Sequence, residues 1–158
     1  MPTFETCVTL AAPVERVFAL FLRPAAYLAL LPADLHLSLV NGPEELHVGA
    51  MTEVRGRRWG ISQRMVTEVT ALEPNALLVE EQRRGPFRRW SHAHRFEALA
   101  GSGTRLTDRI DYEPPGGVLG LTLTPRRIED DLARSLGHRN RRLAEVGCAT
   151  GSRQGDSL

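Results

Sequence analysis

Cysteine is scarce in this chain of 158 residues, which contains only Cys7 and Cys148. The two cysteines lie far apart and form no Cys-x-x-Cys pattern, so the sequence argues against a structural zinc site and against a thiol redox motif. Sparse cysteine agrees with a reducing compartment, and we expect a cytoplasmic protein. Lysine is missing altogether, since all 20 basic residues are arginine, and this bias points to no particular mechanism.

The chain also lacks a long apolar run and a large net charge. Its longest wholly apolar stretch, Ala25 to Leu31, is much shorter than the ~20 residues that a helix needs to span a bilayer. The N-terminal residues show no basic segment followed by an apolar one, so we expect no signal peptide. The net charge of +1 gives no electrostatic reason to expect nucleic-acid binding.

Arginine is concentrated at three places along the chain. We interpret the three clusters as solvated strand ends and an exposed helix face; the alternative is a site for an acidic ligand group or for a membrane surface. The clusters comprise Arg55, Arg57 and Arg58, then Arg83, Arg84, Arg88 and Arg89, and finally Arg139, Arg141 and Arg142.

Length and composition predict one globular domain. Hydrophobic residues make up 42% of the chain and charged residues 25%, and a chain of this size buries enough surface for a full core with a cavity. We expect the domain to occupy residues 1–146, followed by a flexible polar tail over 147–158. The sequence contains no internal repeat and no dinucleotide-binding glycine loop. We expect no cofactor and no bound metal, and the sequence leaves open whether the chain forms a homodimer.

Alternation and turn residues predict an antiparallel sheet. Thr3 to Leu10 alternates and is typical of a first strand, and two short helices follow, one after Pro13 and one over Ala25 to Leu31. Short gaps rich in Gly, Pro and Asn then separate six strand-like runs, which indicates a meander. The runs are Leu35 to Val40, Ala50 to Trp59, Ile61 to Leu72, Ala76 to Arg84, Phe87 to Leu99, and Thr104 to Tyr112.

A long amphipathic helix is predicted over Pro125 to Val146. Thr124 is suited to be its N-cap, and Gly147 is its expected stop. Its apolar stripe consists of Ile128, Leu132, Leu136, Leu143 and Val146. Because an antiparallel sheet needs a cover on its apolar face, we expect an α+β fold in which this helix lies across seven strands.

One face of the strand after Gly85-Pro86 has an unusual composition. Alternation places Trp90, His92, His94 and Phe96 on one side and Arg89, Ser91, Ala93 and Arg95 on the other. Two imidazoles between two large aromatic rings are typical of a pocket wall with a few hydrogen-bonding groups, which suits a small organic ligand.

Asp108 is the natural partner of the two histidines, because it is the one charged member of an otherwise mainly apolar strand face. His92, His94 and Asp108 are therefore the candidate catalytic residues. They are open to three interpretations: an acid–base group with an oriented imidazole, a metal site in which Glu80 or Glu81 could also contribute, and a structural or ligand-binding hydrogen-bond network. We favour the third.

The order of these elements resembles the START and birch-pollen-allergen-like superfamily, as does the string Gly85-Pro86-Phe87, Trp90, His92-Ala93-His94-Arg95-Phe96, with Gly103 to Asp108 and Tyr112 following. Over residues 3–146 the chain is similar to uncharacterised bacterial ligand-binding SRPBCC proteins, which are related to polyketide cyclases and lipid-transfer domains. The resemblance implies a helix-grip fold, in which a curved sheet wraps around the last helix and leaves a hydrophobic cavity.

Members of that superfamily carry lipids, hormones or quinones, cyclise polyketides, or act as co-chaperones, so the fold bounds function only loosely. We expect binding of a small hydrophobic molecule (a lipid, polyketide, quinone or aromatic compound). The rivals are a cyclase- or dehydratase-like enzyme and a partner-binding module, which a cavity under ~200 Å³ would favour. Beside the three candidates above, the expected ligand-binding residues are Trp59, Met65, Trp90, Phe96, Tyr112, Leu132 and Leu136.

Overall fold

The computed structural model describes the backbone of residues 1–151 and the side chains of residues 1–146. The strands are β1 (Thr3–Leu10), β2 (Ser38–Asn41), β3 (Met51–Arg58), β4 (Ile61–Glu73), β5 (Leu77–Arg84), β6 (Arg89–Ala98) and β7 (Thr104–Glu113). The helices are α1 (Val14–Phe21), α2 (Pro24–Leu28), α3 (Gly117–Thr122) and α4 (Pro125–Gly151), with a 3-10 turn at Ala33–Leu35.

The seven strands form one sheet in the order β1-β7-β6-β5-β4-β3-β2, and every neighbouring pair is antiparallel. The meander from β2 to β7 follows from the short turns between these strands. Strand β1 closes the row by pairing with β7, from Thr3 opposite Asp111 to Leu10 opposite Thr104. The predicted α+β helix-grip architecture is confirmed, with a curved open sheet and its longest helix at the C-terminal end.

The core between sheet and helices consists of two clusters. One surrounds the ring of Phe96, which Phe18 and Phe21 each meet edge to face at a centroid distance of 5.1 Å. The other surrounds Phe87 and Tyr112 and includes the first turns of the apolar stripe on α4. Both clusters are apolar surfaces that the sheet and helices jointly remove from water, which is the main stabilising contribution to a fold of this size.

Helix α4 begins where the sequence predicts. The Thr124 hydroxyl accepts a hydrogen bond from the backbone N–H of Arg127 at 3.3 Å, so Thr124 caps the helix and Pro125 occupies its first turn. The predicted stop at Gly147 is wrong, because the helix continues to Gly151. A glycine inside a helix costs only about 1 kcal/mol relative to alanine, which an established helix tolerates. The rest of the predicted tail, 152–158, lies outside the described residues.

Two further local predictions were wrong, and one helix was not predicted. Helix α2 ends at Leu28 rather than Leu31. Leu35 belongs to a 3-10 turn that His36 ends with a left-handed φ of 46°, so β2 begins only at Ser38. Helix α3 was missed because its segment opens on Gly116-Gly117, a pair more typical of a loop. Within residues 1–151, no helix is long and apolar enough to cross a bilayer.

Candidate functional site

A cavity of about 210 Å³ lies between the concave face of the sheet and the helices α2 and α4. Members of both core clusters contribute to its wall, so the cavity lies between them. The wall is largely apolar, and it includes Phe21, Leu28, Leu31, Leu46, Val54 and Ile110. The volume is smaller than the ~300–1,000 Å³ of most ligand pockets, so the space suits a compact molecule.

Five of the predicted ligand-binding residues line this cavity. They are Met65, Trp90, His92, Leu132 and Leu136. The alternation that placed Trp90 and His92 on the inner face of β6 is therefore right, and Arg89 and Arg95 are exposed on the opposite face.

The other predicted residues are buried or, for Trp59, partly buried, and they do not line the cavity. Phe96 packs against Phe18 and Phe21. Tyr112 lies in the second cluster, where its hydroxyl donates to the carbonyl of Pro125 at 3.4 Å. Trp59 has a left-handed φ of 55°, which turns its ring onto Phe87 at a centroid distance of 5.8 Å. Alternation along a strand shows which side chains face inward, but it does not show which of them line the cavity and which pack in the core.

Asp108 is the centre of a buried polar network. Its Oδ1 lies 2.9 Å from Nε2 of His92 and 2.7 Å from Nδ1 of His94. Register explains the contact, because His94 is paired directly with Asp108 across β6 and β7, and His92 is one step further along the same face. Asp108 was predicted to lie close to at least one histidine, and it contacts both. The prediction that both histidines face the cavity holds for His92 and is wrong for His94, which does not line it.

Arg139 completes this network, and the sequence analysis missed its role. Its Nη1 lies 2.9 Å from Oδ1 of Asp108, and its Nη2 lies 2.5 Å from Oδ2, a bidentate ion pair in which both side chains are 0% exposed. The same Nη1 donates to the hydroxyl of Tyr27 at 3.3 Å. The prediction that Arg139 lies on an exposed helix face is wrong, whereas Arg141 and Arg142 are exposed.

A signal for Arg139 was present in the sequence. It lies three residues after Leu136 and four before Leu143, so it falls on the apolar stripe of α4. An arginine in such a stripe must be paired, because an isolated buried charge is very unfavourable. The buried carboxylate of Asp108 is that partner.

The ion pair fixes the charge of both its members. Burial alone would raise the pKa of Asp108, but the charge and hydrogen bonds of Arg139, together with His92 and His94, hold it well below its usual range. Burial would lower the pKa of Arg139, and the opposing effect of Tyr27 and Asp108 raises it instead. Asp108 is therefore an anion at neutral pH and accepts hydrogen bonds only.

His94 is neutral and fully enclosed. Burial, with a smaller contribution from His92, lowers its pKa to about 3 despite the nearby Asp108 carboxylate. Because the ionised carboxylate only accepts, Nδ1 of His94 carries the hydrogen and donates it. The ring also contacts Phe21 at a centroid distance of 5.0 Å. His94 is thus a structural link between the aromatic cluster and the ion pair.

His92 and Glu80 extend this network of polar side chains to the cavity wall. They are directly opposite across β5 and β6, and both line the cavity. Burial raises the pKa of Glu80, although His92 and a hydrogen bond from Thr67 at 3.2 Å oppose the shift. Nε2 of His92 donates to Asp108, so the neutral form of this ring has an acceptor at Nδ1, to which no described residue donates. The wall therefore presents a carboxyl group beside an imidazole acceptor.

The trio His92, His94 and Asp108 has the composition of a metal site, with ligand atoms within 4.8 Å of one another. The donor set does not fit a cation. Both oxygens of Asp108 are bound to the guanidinium of Arg139, whose charge would repel a metal ion. Glu80 and Glu81 were considered as additional metal ligands. Glu80 lies nearby, whereas the side chain of Glu81 is exposed and pairs with Arg83 at 3.1 Å.

A curved antiparallel sheet that holds a long helix above a cavity defines the helix-grip fold. Residues 10–141 match the family of polyketide cyclase/dehydrase and lipid transport proteins, and the chain belongs to that family. It is 30% identical over 111 residues to an uncharacterised protein of Mycobacterium tuberculosis, a match that covers 70% of this chain and 48% of the relative. The chain thus spans about half the length of the curated relatives it matches.

Two solved structures illustrate the shared fold. A START superfamily protein from Mycobacterium smegmatis superposes with a TM-score of 0.72 at 14% identity, over 94% of this chain and 98% of that one. The Zhui aromatase/cyclase from a Streptomyces species superposes with a TM-score of 0.68 at 16% identity, over 99% of this chain and 96% of that one. At these identities the likeness establishes the fold alone.

Proposed function

We propose that this protein binds a small, largely apolar molecule in the cavity between its sheet and α4, with a polar group of the ligand against His92 and Glu80. The observation that carries the proposal is the composition of the wall, which is largely apolar and also holds hydrogen-bonding groups, among them those of Glu80 and His92. Such a wall gives affinity through apolar burial and orientation through a few polar contacts.

The position of the polar groups supports this proposal. Asp108 holds His92 in one tautomer, so that its Nδ1 is free to accept a hydrogen bond. Glu80 beside it has a raised pKa and is a donor whenever it is protonated. A hydroxyl or carbonyl group on the ligand would satisfy both side chains. The cavity volume, about 210 Å³, lies just above the ~200 Å³ below which a partner-binding module is the better interpretation.

Filling the cavity should weaken binding. Leu136 is 4% exposed and lines the cavity, so the variant Leu136→Trp places an indole in the space that a ligand would occupy. We expect the native protein to bind 2-naphthalenemethanol, a neutral bicyclic alcohol, with quenching of Trp90 fluorescence. We expect affinity to fall by about tenfold or more in the variant, since a compact apolar group contributes about 1.5–3 kcal/mol on burial.

Leu121→Trp is the matched control, because Leu121 is 82% exposed on α3. It should bind the alcohol as the parent does. Circular dichroism of Leu136→Trp should show that the variant remains folded. Equal binding by the parent and by folded Leu136→Trp, or no binding by the parent, would refute the proposal.

A cyclase- or dehydratase-like activity is the second candidate, and the Glu80–His92 pair favours it. Nδ1 of His92 would take a proton from a carbon next to a carbonyl group, while Glu80 would give its proton to the carbonyl oxygen, which yields an enol. Acid and base on adjacent strands of one cavity wall are the arrangement that this step needs.

Proton exchange tests this activity without knowledge of the natural substrate. We expect the native protein to accelerate exchange of the central CH₂ protons of 1-phenylbutane-1,3-dione with D₂O, followed by NMR. Glu80→Gln should retain binding of the diketone within a few-fold and should lose about 10²–10⁴-fold of the acceleration, the usual contribution of acid–base assistance. Glu81→Gln, on an exposed side chain, is the control. Exchange no faster than in buffer would show that the protein only binds.

A further inference from the structure

Helix α3 has apolar side chains on both of its faces. Leu119 packs inward against the cluster around Phe87 and Tyr112, whereas Val118 and Leu121 point outward, and each of them is 82% exposed. Among the side chains that the structure describes, no other large apolar one is as exposed as these two. A surface helix normally has polar residues on its outer face, so adjacent apolar side chains there indicate a contact surface.

The antiparallel topology places other segments at the same end of the sheet as α3. Strand β7 runs toward α3, so the β3–β4 turn, the β5–β6 turn and the start of β1 lie at this end. Met1 and Ile61 are also exposed there, by 68% and 45%. We call this surface the α3 end, and it comprises residues 1–2, 58–61, 84–89 and 113–127.

An arginine lies against each end of helix α3. A Cβ on Gly116 would lie 2.9 Å from Nε and Nη2 of Arg88, so the guanidinium of Arg88 covers the start of the helix. Nη1 of Arg127 donates to the carbonyl oxygen of Thr122, the last residue of the helix, at 3.5 Å. Both arginines are exposed. Neither has a carboxylate partner within the described part of the chain.

The α3 end carries an excess of positive charge. Its turn and its connection to α4, residues 84–90 and 114–128, contain no Asp or Glu, and they contain Arg84, Arg88, Arg89, Arg126 and Arg127. Arg89 pairs with Glu113 at 3.8 Å. Arg84 and Arg126 are exposed, and no carboxylate among the described side chains pairs with them. The apolar pair on α3 is therefore surrounded by cations that lack partners.

We infer that the α3 end docks on an anionic lipid surface, with Val118 and Leu121 inserted between the headgroups and the flanking arginines bound to lipid phosphates. Apolar side chains that enter the boundary between headgroups and acyl chains contribute affinity in proportion to the area they bury, and basic side chains add attraction to anionic lipids. The guanidinium fork matches a phosphate in a bidentate manner. An anionic bilayer supplies both kinds of contact at one surface. The docking surface lies outside the cavity, so this inference does not depend on a cavity ligand.

Vesicle binding tests the inference. We expect the native protein to cosediment with vesicles of phosphatidylcholine containing one third phosphatidylglycerol at least about tenfold more strongly than with vesicles of phosphatidylcholine alone. Binding should weaken as salt is raised, because the arginines are open to solvent. The cavity variant Leu136→Trp should bind these vesicles as the parent does, which separates docking from the proposed function.

Two double variants test the two kinds of contact. Val118→Gln/Leu121→Gln should lower the vesicle partition coefficient by about tenfold through loss of apolar burial. Arg88→Gln/Arg127→Gln should lower it by about tenfold or more, since each arginine near an anionic surface contributes to binding. The matched controls are Val40→Gln/Val48→Gln, at the opposite end of the sheet, and Arg95→Gln/Arg105→Gln, on its outer face, and all four residues are exposed. Both controls should bind within about twofold of the parent.

Fluorescence distinguishes insertion from simple adsorption. The indole of Leu121→Trp should gain a blue-shifted emission component when the anionic vesicles are added, and that of Val48→Trp should not. Absence of binding to the anionic vesicles, or binding that Val118→Gln/Leu121→Gln leaves unchanged, would overturn the inference. Equal losses in the controls would do the same. If sedimentation shows that the native protein self-associates and Val118→Gln/Leu121→Gln does not, the surface joins copies of this chain, and the lipid assignment is wrong.

Discussion

Replacing Asp108 by asparagine should lower the free energy of unfolding by about 3–5 kcal/mol, the cost of removing one partner of a buried ion pair. The cause is Arg139, which is 0% exposed and would keep its charge without a carboxylate to balance it. Asparagine would also present N–H donors to a site where His92, His94 and Arg139 already donate. Urea unfolding monitored by circular dichroism measures the change.

Two further variants separate the ion pair from simple loss of packing. Asp111→Asn is the matched control, because Asp111 lies on the same strand in a partly exposed pair with Arg109 at 3.1 Å, and such pairs contribute about 0–1 kcal/mol. The double variant Asp108→Asn/Arg139→Met should be less destabilised than the sum of its single variants, because no buried charge is left unpaired. Additive losses, or a loss below ~1 kcal/mol for Asp108→Asn, would contradict the central role of the pair.

The second large effect is a loss of stability in mild acid that originates at His94. The pKa of His94 is about 3 in the folded protein and about 6.5 when the chain is unfolded. Between these values the unfolded chain binds a proton that the folded protein does not, so the free energy of unfolding falls as the pH is lowered from about 6.5 toward 3. One such proton corresponds to about 1.4 kcal/mol per pH unit.

His94→Asn tests this prediction, because the asparagine N–H can replace the Nδ1–H that donates to Asp108 but cannot titrate. Between pH 6 and pH 4.5, the free energy of unfolding of the parent should fall more steeply than that of the variant, by about 1.4 kcal/mol per pH unit. The raised pKa of Glu80 acts in the opposite direction, and it is present in both proteins. His47→Asn, on an exposed residue, is the control. Parallel profiles for parent and His94→Asn would show that His94 is not the source.

Patterns with a short period could be predicted from the sequence. Period-two alternation placed His92, His94 and Asp108 on the inner face, and the turn residues fixed strands whose register brings the three together. These relations are local or span one hairpin, so they follow from the chain itself. The same holds for the start of α4 at Thr124.

Relations between distant segments could not be predicted in this way. Tyr27 and Arg139 are 112 positions apart and meet only because α2 and α4 pack over the same part of the sheet. Whether an inward side chain lines the cavity or packs in the core also depends on the approach of these helices, which is why Trp59, Phe96 and Tyr112 were assigned to the wall. The position of Arg139 on the apolar stripe of α4 could be recognised in the sequence, but its pairing with Asp108 could not be predicted.

The buried network draws its members from α2, β6, β7 and α4, and so from nearly the whole length of the chain. Such a set cannot assemble until the sheet has formed and α4 has docked on it. Contacts that form after the folding transition state slow unfolding and do little to speed folding. We therefore expect the Asp108–Arg139 pair to act mainly on the lifetime of the native state, and with it on the lifetime of the cavity.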